Sequence, residues 1–242
     1  LLNYQGNKDL VSLILMDGGI NDIGVMDILN FKDGPNLERE INRKIERRMD
    51  EVLRQITGLD NSNAEMDFPN ARVVITGYYQ IVSEYSNFDF IKIWLMACFG
   101  PFAAAFYTID ELTGWSDSQI EELSQRCKSF STLANHSLNT LINNINTDLN
   151  EQRVFFANPN FTAANAIFST QSFLWGLSPL GAPEDLSDRG GVYNERVLVC
   201  DSAPENRLAD GQLICNMASV GHPNVEGAIR YANSIFNLQF LT

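Results

Sequence analysis

An α/β domain built on a parallel sheet is the fold class this sequence predicts, and three observations predict it. Short apolar runs recur at residues 11–16 (VSLILM), 71–76 (ARVVIT) and 153–157 (RVFFA). Longer segments with helical periodicity separate them, which is the βαβ rhythm of a parallel sheet. The first run stops at Asp17-Gly18-Gly19 and is followed by the polar pair Asn21-Asp22. In such folds ligands sit beyond the carboxyl ends of the strands, so residues 9–24 have the layout of an active-site edge.

The first run reads as a buried strand, and residues 23–31 as a short helix or turn. Asn36 then caps a helix over residues 37–57, in which Leu37, Ile41, Ile45, Met49, Val52, Leu53 and Ile56 form one stripe before the stop at Gly58. Its outer face pairs Glu40 with Lys44 and Asp50 with Arg54, each acid four residues ahead of its base. Arg43, Lys44, Arg47 and Arg48 are interleaved with acids and read as a solvated face rather than a basic patch. The second run is closed by Gly77 and followed by Tyr78-Tyr79.

Residues 88–115 are apolar, aromatic and irregular: either core, the favoured reading, or a flap over the site. Ser116 and Gln119 form a capping box for a helix reaching about Leu149, with Ile120, Leu123, Cys127, Phe130, Ala134, Leu138, Leu141, Ile142 and Ile145 on its buried stripe. His136 falls on the outer side of that helix and reads as a surface residue. After the third run, Asn158-Pro159-Asn160 makes a turn, and residues 161–211 are loop-rich around Trp175. Gly221-His222-Pro223-Asn224 leads into a last helix carrying Ala228, Ile229, Ala232, Ile235 and Phe236. No repeat or linker interrupts the 242 residues, and one domain is expected.

The composition narrows the function. A formal net charge of −13 argues against nucleic acid as a partner, because phosphate binding needs a basic face. No apolar window long enough for a membrane span exists; residues 93–107 come nearest and are broken by Gly100-Pro101. The four cysteines, Cys98, Cys127, Cys200 and Cys215, form no CxxC pair, and with two histidines they leave a zinc site improbable. Cys200 and Cys215 flank a loop rich in Pro, Asn, Asp and Gly that a disulfide would tie down. The triplets Asn135-His136-Ser137 and Asn160-Phe161-Thr162 are glycosylation acceptors. The resulting expectation is a secreted or extracytoplasmic, disulfide-bearing glycoprotein.

Two sites at opposite ends of the sequence carry candidate chemistry. His222, after a loop and just before a helix, is placed to act as a general base at the sheet edge. Asn21, following a strand, offers a neutral amide N–H to developing negative charge, the requirement of an oxyanion donor. Together they resemble the SGNH (GDSL-type) esterases and lipases. Gly19-x-Asn21-Asp22 is similar to that family's third block, and His222-Pro223-Asn224 with Gly227 to its last. The ARVVITGYY strand and the GAIRYANSI helix also look like members of the group, so the resemblance runs through the chain in order.

The resemblance implies a three-layer α/β/α fold with a flavodoxin-like parallel sheet. It also implies hydrolysis of carboxylic esters, of lipid or acylated carbohydrate, without metal or organic cofactor. Asn21 would be the oxyanion donor and His222 the general base, with Gly19 and Asp22 supporting the loop between them. Two departures stand out. The GDS-type turn bearing the nucleophilic serine is not in this sequence, and only eight residues precede Asp9, too few for the strand and crossover that would carry it. Where the family often has an aspartate three residues before the histidine, this chain has Ser219, which leaves a backbone carbonyl, Asp201 or Asp210 to orient His222. Three accounts follow: a serine on a partner chain N-terminal to this one, a sequence that is a piece of a longer protein, or a non-catalytic binding or assembly protein of degenerate SGNH fold.

Overall fold

In the computed structural model, β1 (Leu13–Met16), β2 (Arg72–Thr76) and β3 (Val154–Ala157) lie side by side as one parallel sheet in the order β1-β2-β3. The structure describes residues 4, 6–17, 23–32, 34–60, 67–92, 94–95, 116–176 and 220–238. The three strands are the three apolar runs of the sequence, trimmed by one or two residues at their starts. Register pairs Leu15 with Val74 and Val74 with Phe155, so the central positions of β2, Val73 to Ile75, have a neighbour on both sides.

Between β1 and β2 the chain forms α1 (Val25–Leu29), α2 (Leu37–Glu40), a π-helical turn (Ile41–Glu46) and α3 (Arg47–Ile56). Asn36 caps α2 as its sequence position predicts, its Oδ1 accepting from Arg39 N at 2.9 Å. The expected single helix over 37–57 is thus helical throughout but widened in its middle by the π turn. The apolar stripe survives: Leu37, Ile41, Ile45, Met49, Leu53 and Ile56 are all buried. The expected pairs form as well, Lys44 to Glu40 at 3.2 Å and Arg54 to Asp50 at 2.8 Å. Hydrogen bonds from Arg43 and Lys44 hold the buried Glu40 carboxyl below its usual range.

Between β2 and β3 runs α4 (Asp117–Leu149), opened by the reciprocal Ser116–Gln119 capping box and closed by Asn150 in the left-handed region at φ 52°. Its stripe from Leu123 to Ile145 packs with Ile14, Val73, Ile75, Val154 and α2–α3 into one core. Cys127 lies inside this stripe, and burial pushes its thiol up to about 12. Residues 88–95 belong to the same core through Ile91, Trp94 and Leu95, and the Phe90 and Trp94 rings meet Phe168 edge-on. Residues 96–115, where the flap alternative mainly fell, lie outside the described residues.

A buried arginine ties the strand starts together. The Arg153 guanidinium donates to the carbonyls of Thr57, Phe68 and Ala71, satisfying backbone groups that would otherwise be buried without partners. The expectation that fails is the full burial of β1. Ile14 is only 7% exposed, but Leu13 is 36% and Leu15 is 55% exposed. The reason is the twofold alternation of a strand combined with its place: among the described residues β1 is an edge strand, and only its Ile14 face meets the core.

The last helix, α5 (Val225–Phe236), reaches the sheet at β3, and none of its side chains joins the main core.

Candidate active site

Parallel strands end on one edge, and here that edge carries Asp17 after β1, Gly77-Tyr78-Tyr79 after β2 and Asn158 after β3. The turn bearing His222 is fastened to the same edge. Trp175 N donates to His222 O at 2.8 Å, and Gly221 N donates to Trp175 O at 2.9 Å. Leu174 and Pro223 form an antiparallel bridge. The Tyr79 hydroxyl donates to Gly221 O at 2.8 Å, and the Tyr231 hydroxyl of α5 donates to Gly77 O at 2.8 Å. Gly221 sits at φ +82°, a backbone conformation that costs glycine nothing and side chains much more.

The helix that follows is anchored by Asn224, 2% exposed. Its Oδ1 accepts from Gly227 N at 2.9 Å as the N-cap, while its Nδ2 donates to Ser172 O at 3.1 Å. A Cβ on Gly227 would fall on the Phe173 carbonyl oxygen, so the glycine of the His-Pro-Asn-x-x-Gly stretch is required by close approach. With backbone and cap fixed this way, the His222 side chain stands exposed at the carboxyl edge. A general base must reach solvent-borne substrate, and this placement allows it.

Two tyrosines and a phenylalanine back the turn. Tyr79 stacks near Phe161 with ring centroids 5.2 Å apart, and Phe161 meets Tyr231 at 5.6 Å. Burial, and after it the negative charge of Asp17, pushes the Tyr79 hydroxyl well above its usual range. The same causes, with Tyr79 and Tyr78 added, raise Tyr231. These phenols therefore stay protonated and act as hydrogen-bond donors. The influence of Asp17 on both also locates the end of β1 beside the residues that hold the His222 turn.

Of the residues singled out in the sequence, His222 is described and lies at this edge. Gly19, Asn21, Asp22 and Ser219 lie outside the described residues, as do Asp201, Asp210, Cys200 and Cys215. Tyr79 as the holder of the His222 turn, and Tyr231 as the tie from α5 to Gly77, were not recognised from sequence. Tyr79 directly follows a strand-ending Gly-Tyr pair and could have been found there; Tyr231 looks like any helix tyrosine. Trp175, expected as an aromatic anchor, also holds the turn through its backbone. The two glycosylation triplets differ sharply. The Asn135 amide is engaged at both ends, accepting from Tyr78 N at 2.6 Å and donating to Tyr78 O at 2.9 Å, whereas Asn160 is exposed.

Among the described residues no cluster of three or more histidine, cysteine or carboxylate side chains could hold a metal ion. No described helix is long and apolar enough to cross a membrane. Comparison with family models, with curated proteins and with solved structures finds no match to this chain.

Proposed function

We propose that this chain is the larger, C-terminal part of a serine-type hydrolase of carboxylic esters with a three-layer, SGNH-like fold. The observation that carries the reading is the His222 turn: an exposed imidazole fixed through backbone bonds at the carboxyl edge of a parallel sheet, beside the end of the strand that leads to Asn21. In the proposed reaction a serine outside these 242 residues attacks the ester carbonyl. His222 takes its proton and passes it to the leaving alcohol, and Asn21 donates to the tetrahedral oxyanion. The exposed leucines of β1 support a further covering element on that face, because strands of parallel sheets are ordinarily buried on both faces. The edge of β1, open among the described residues, leaves room for a further strand. The proposed setting is extracytoplasmic.

The test uses the complete enzyme, this chain with the segment that carries the serine. His222→Ala should abolish cleavage of p-nitrophenyl esters while circular dichroism shows the fold intact. Retention of most activity removes the assignment. Asn21→Ala should slow turnover by roughly a hundredfold or more, the scale for loss of one oxyanion donor.

A further inference from the structure

A groove of about 390 Å³ opens beside the His222 turn, between the ends of β2 and β3 and the flank of α4. The size falls in the roughly 300–1,000 Å³ range of small-molecule sites. Its lining is unusual for this protein. Gln80, Asn158 and Asn160 share it with the rings of Tyr79 and Phe161, and among the described residues not one that lines it carries a charge. Two other surface concavities do carry charge: one contains Glu151, the other Glu38, Arg39, Arg43 and Arg47.

The hydrogen-bonding capacity left open in the groove is specific. Asn158 Oδ1 accepts from Asn160 N at 2.9 Å, which leaves its Nδ2 to donate outward. Gln80 Nε2 donates to Val82 O and Ser124 O, which leaves its Oε1 to accept. The exposed Asn160 side-chain amide makes no bond within the described structure and, where it carries no glycan, can do both. Neutral groups that both donate and accept, set against an aromatic wall, match hydroxyls on a ring with an apolar face. An anion would find no cation here and would face a chain of net charge −13. An acyl chain would strip water from amides it cannot bond.

We infer that this groove binds a neutral carbohydrate and is the subsite for the sugar part of the substrate. The inference rests on the hydrolase reading for its place in a reaction, but not for binding. The groove is joined to the His222 turn through one residue: Tyr79 lines it, and the Tyr79 hydroxyl holds Gly221, next to His222.

The test is side-chain amide NMR of this chain, produced without N-glycosylation because Asn160 is an acceptor triplet, titrated with xylobiose, cellobiose and chitobiose. At least one disaccharide should shift the Gln80, Asn158 and Asn160 amide signals together. Asn160→Gly keeps the φ of +56° accessible, and Asn158→Asp keeps the acceptor for Asn160 N while removing the outward donor. Each should weaken binding about tenfold, the scale of one lost hydrogen bond of this kind. His222→Ala should bind the sugar unchanged. Silence of these amides with all three sugars overturns the inference, as does an equal response to octanoate or inorganic phosphate. Sugar binding in a complete enzyme that lacks esterase activity would leave the groove standing and remove the hydrolase reading.

Discussion

β1 and β2 are hydrogen-bonded neighbours of similar sequence, LILM beside RVVIT, yet they live in different environments. Leu15 and Val74 are direct register partners; Leu15 is 55% exposed and Val74 is fully buried. Composition does not separate them. Position does: β2 has a strand on each side and helices of the core against it, whereas β1 has a strand on one side only among the described residues. Half of the sheet is a finished interior, and the other half is an edge that still shows apolar side chains. That contrast bears on the proposed function, which places Asn21 beyond the end of the edge strand.

The finished half should respond most to loss of volume. Phe130 on α4 is fully buried and packs against the Tyr78 ring at 5.4 Å between centroids. Phe130→Ala should destabilise the chain by about 3–5 kcal/mol, read from urea midpoints, because the α4 stripe is fixed on both sides and cannot close over the cavity. A loss under about 1 kcal/mol would mean that this half is as loosely packed as β1.

The same half carries a pH signature. The Cys127 thiol, ordinarily at 9.0, is pushed up to about 12 by burial. Its folded value lies above its unfolded one, so its contribution to stability is complete below pH 9, falls as the unfolded chain gives up the proton above 9, and keeps falling to about 12. Tyr79 and Tyr231, raised from 10.0, extend the loss. Urea midpoints measured from neutral pH upward should begin to drop near pH 9, and Cys127→Ala should move that onset toward 10. An unchanged onset in the variant would mean that the thiol is reached by solvent without unfolding.

The sequence made this asymmetry only half visible. Helix periodicity located the stripes of α2–α3 and α4 almost residue by residue, since a buried face repeating every three to four residues leaves a pattern in the chain itself. The Ser116 capping box and Asn36 cap were equally legible, because capping is local chemistry. Four apolar residues in a row, by contrast, do not say whether one face or two will be covered. That depends on which strands end up beside them, and Leu15 learns it from contacts far along the chain. The site divides the same way. The candidate His222 was read from a local turn signal, but the hydroxyls that tie its turn and α5 to the sheet edge come from Tyr79 and Tyr231, 142 and 154 residues from their acceptors Gly221 and Gly77.

The smallest expected effect is the sharpest probe of the contrast. Replacing a valine by threonine changes little in shape but places a hydroxyl where a methyl was. At Val74 that hydroxyl would be sealed from water, and Val74→Thr should cost about 1–3 kcal/mol. At its partner Leu15 the added hydroxyl remains in contact with water, and Leu15→Thr should change stability by no more than about 0.5 kcal/mol. The pair shares one register position, so ladder bonding nearly cancels in the difference, and the β-branching gained at Leu15 adds only to its tolerance. If Leu15→Thr is as costly as Val74→Thr in the chain alone, some part of this chain already covers β1 and the edge is closed. If the two diverge in the isolated chain but converge in a complete enzyme of the proposed kind, the added segment covers β1, the strand from which the proposed site begins.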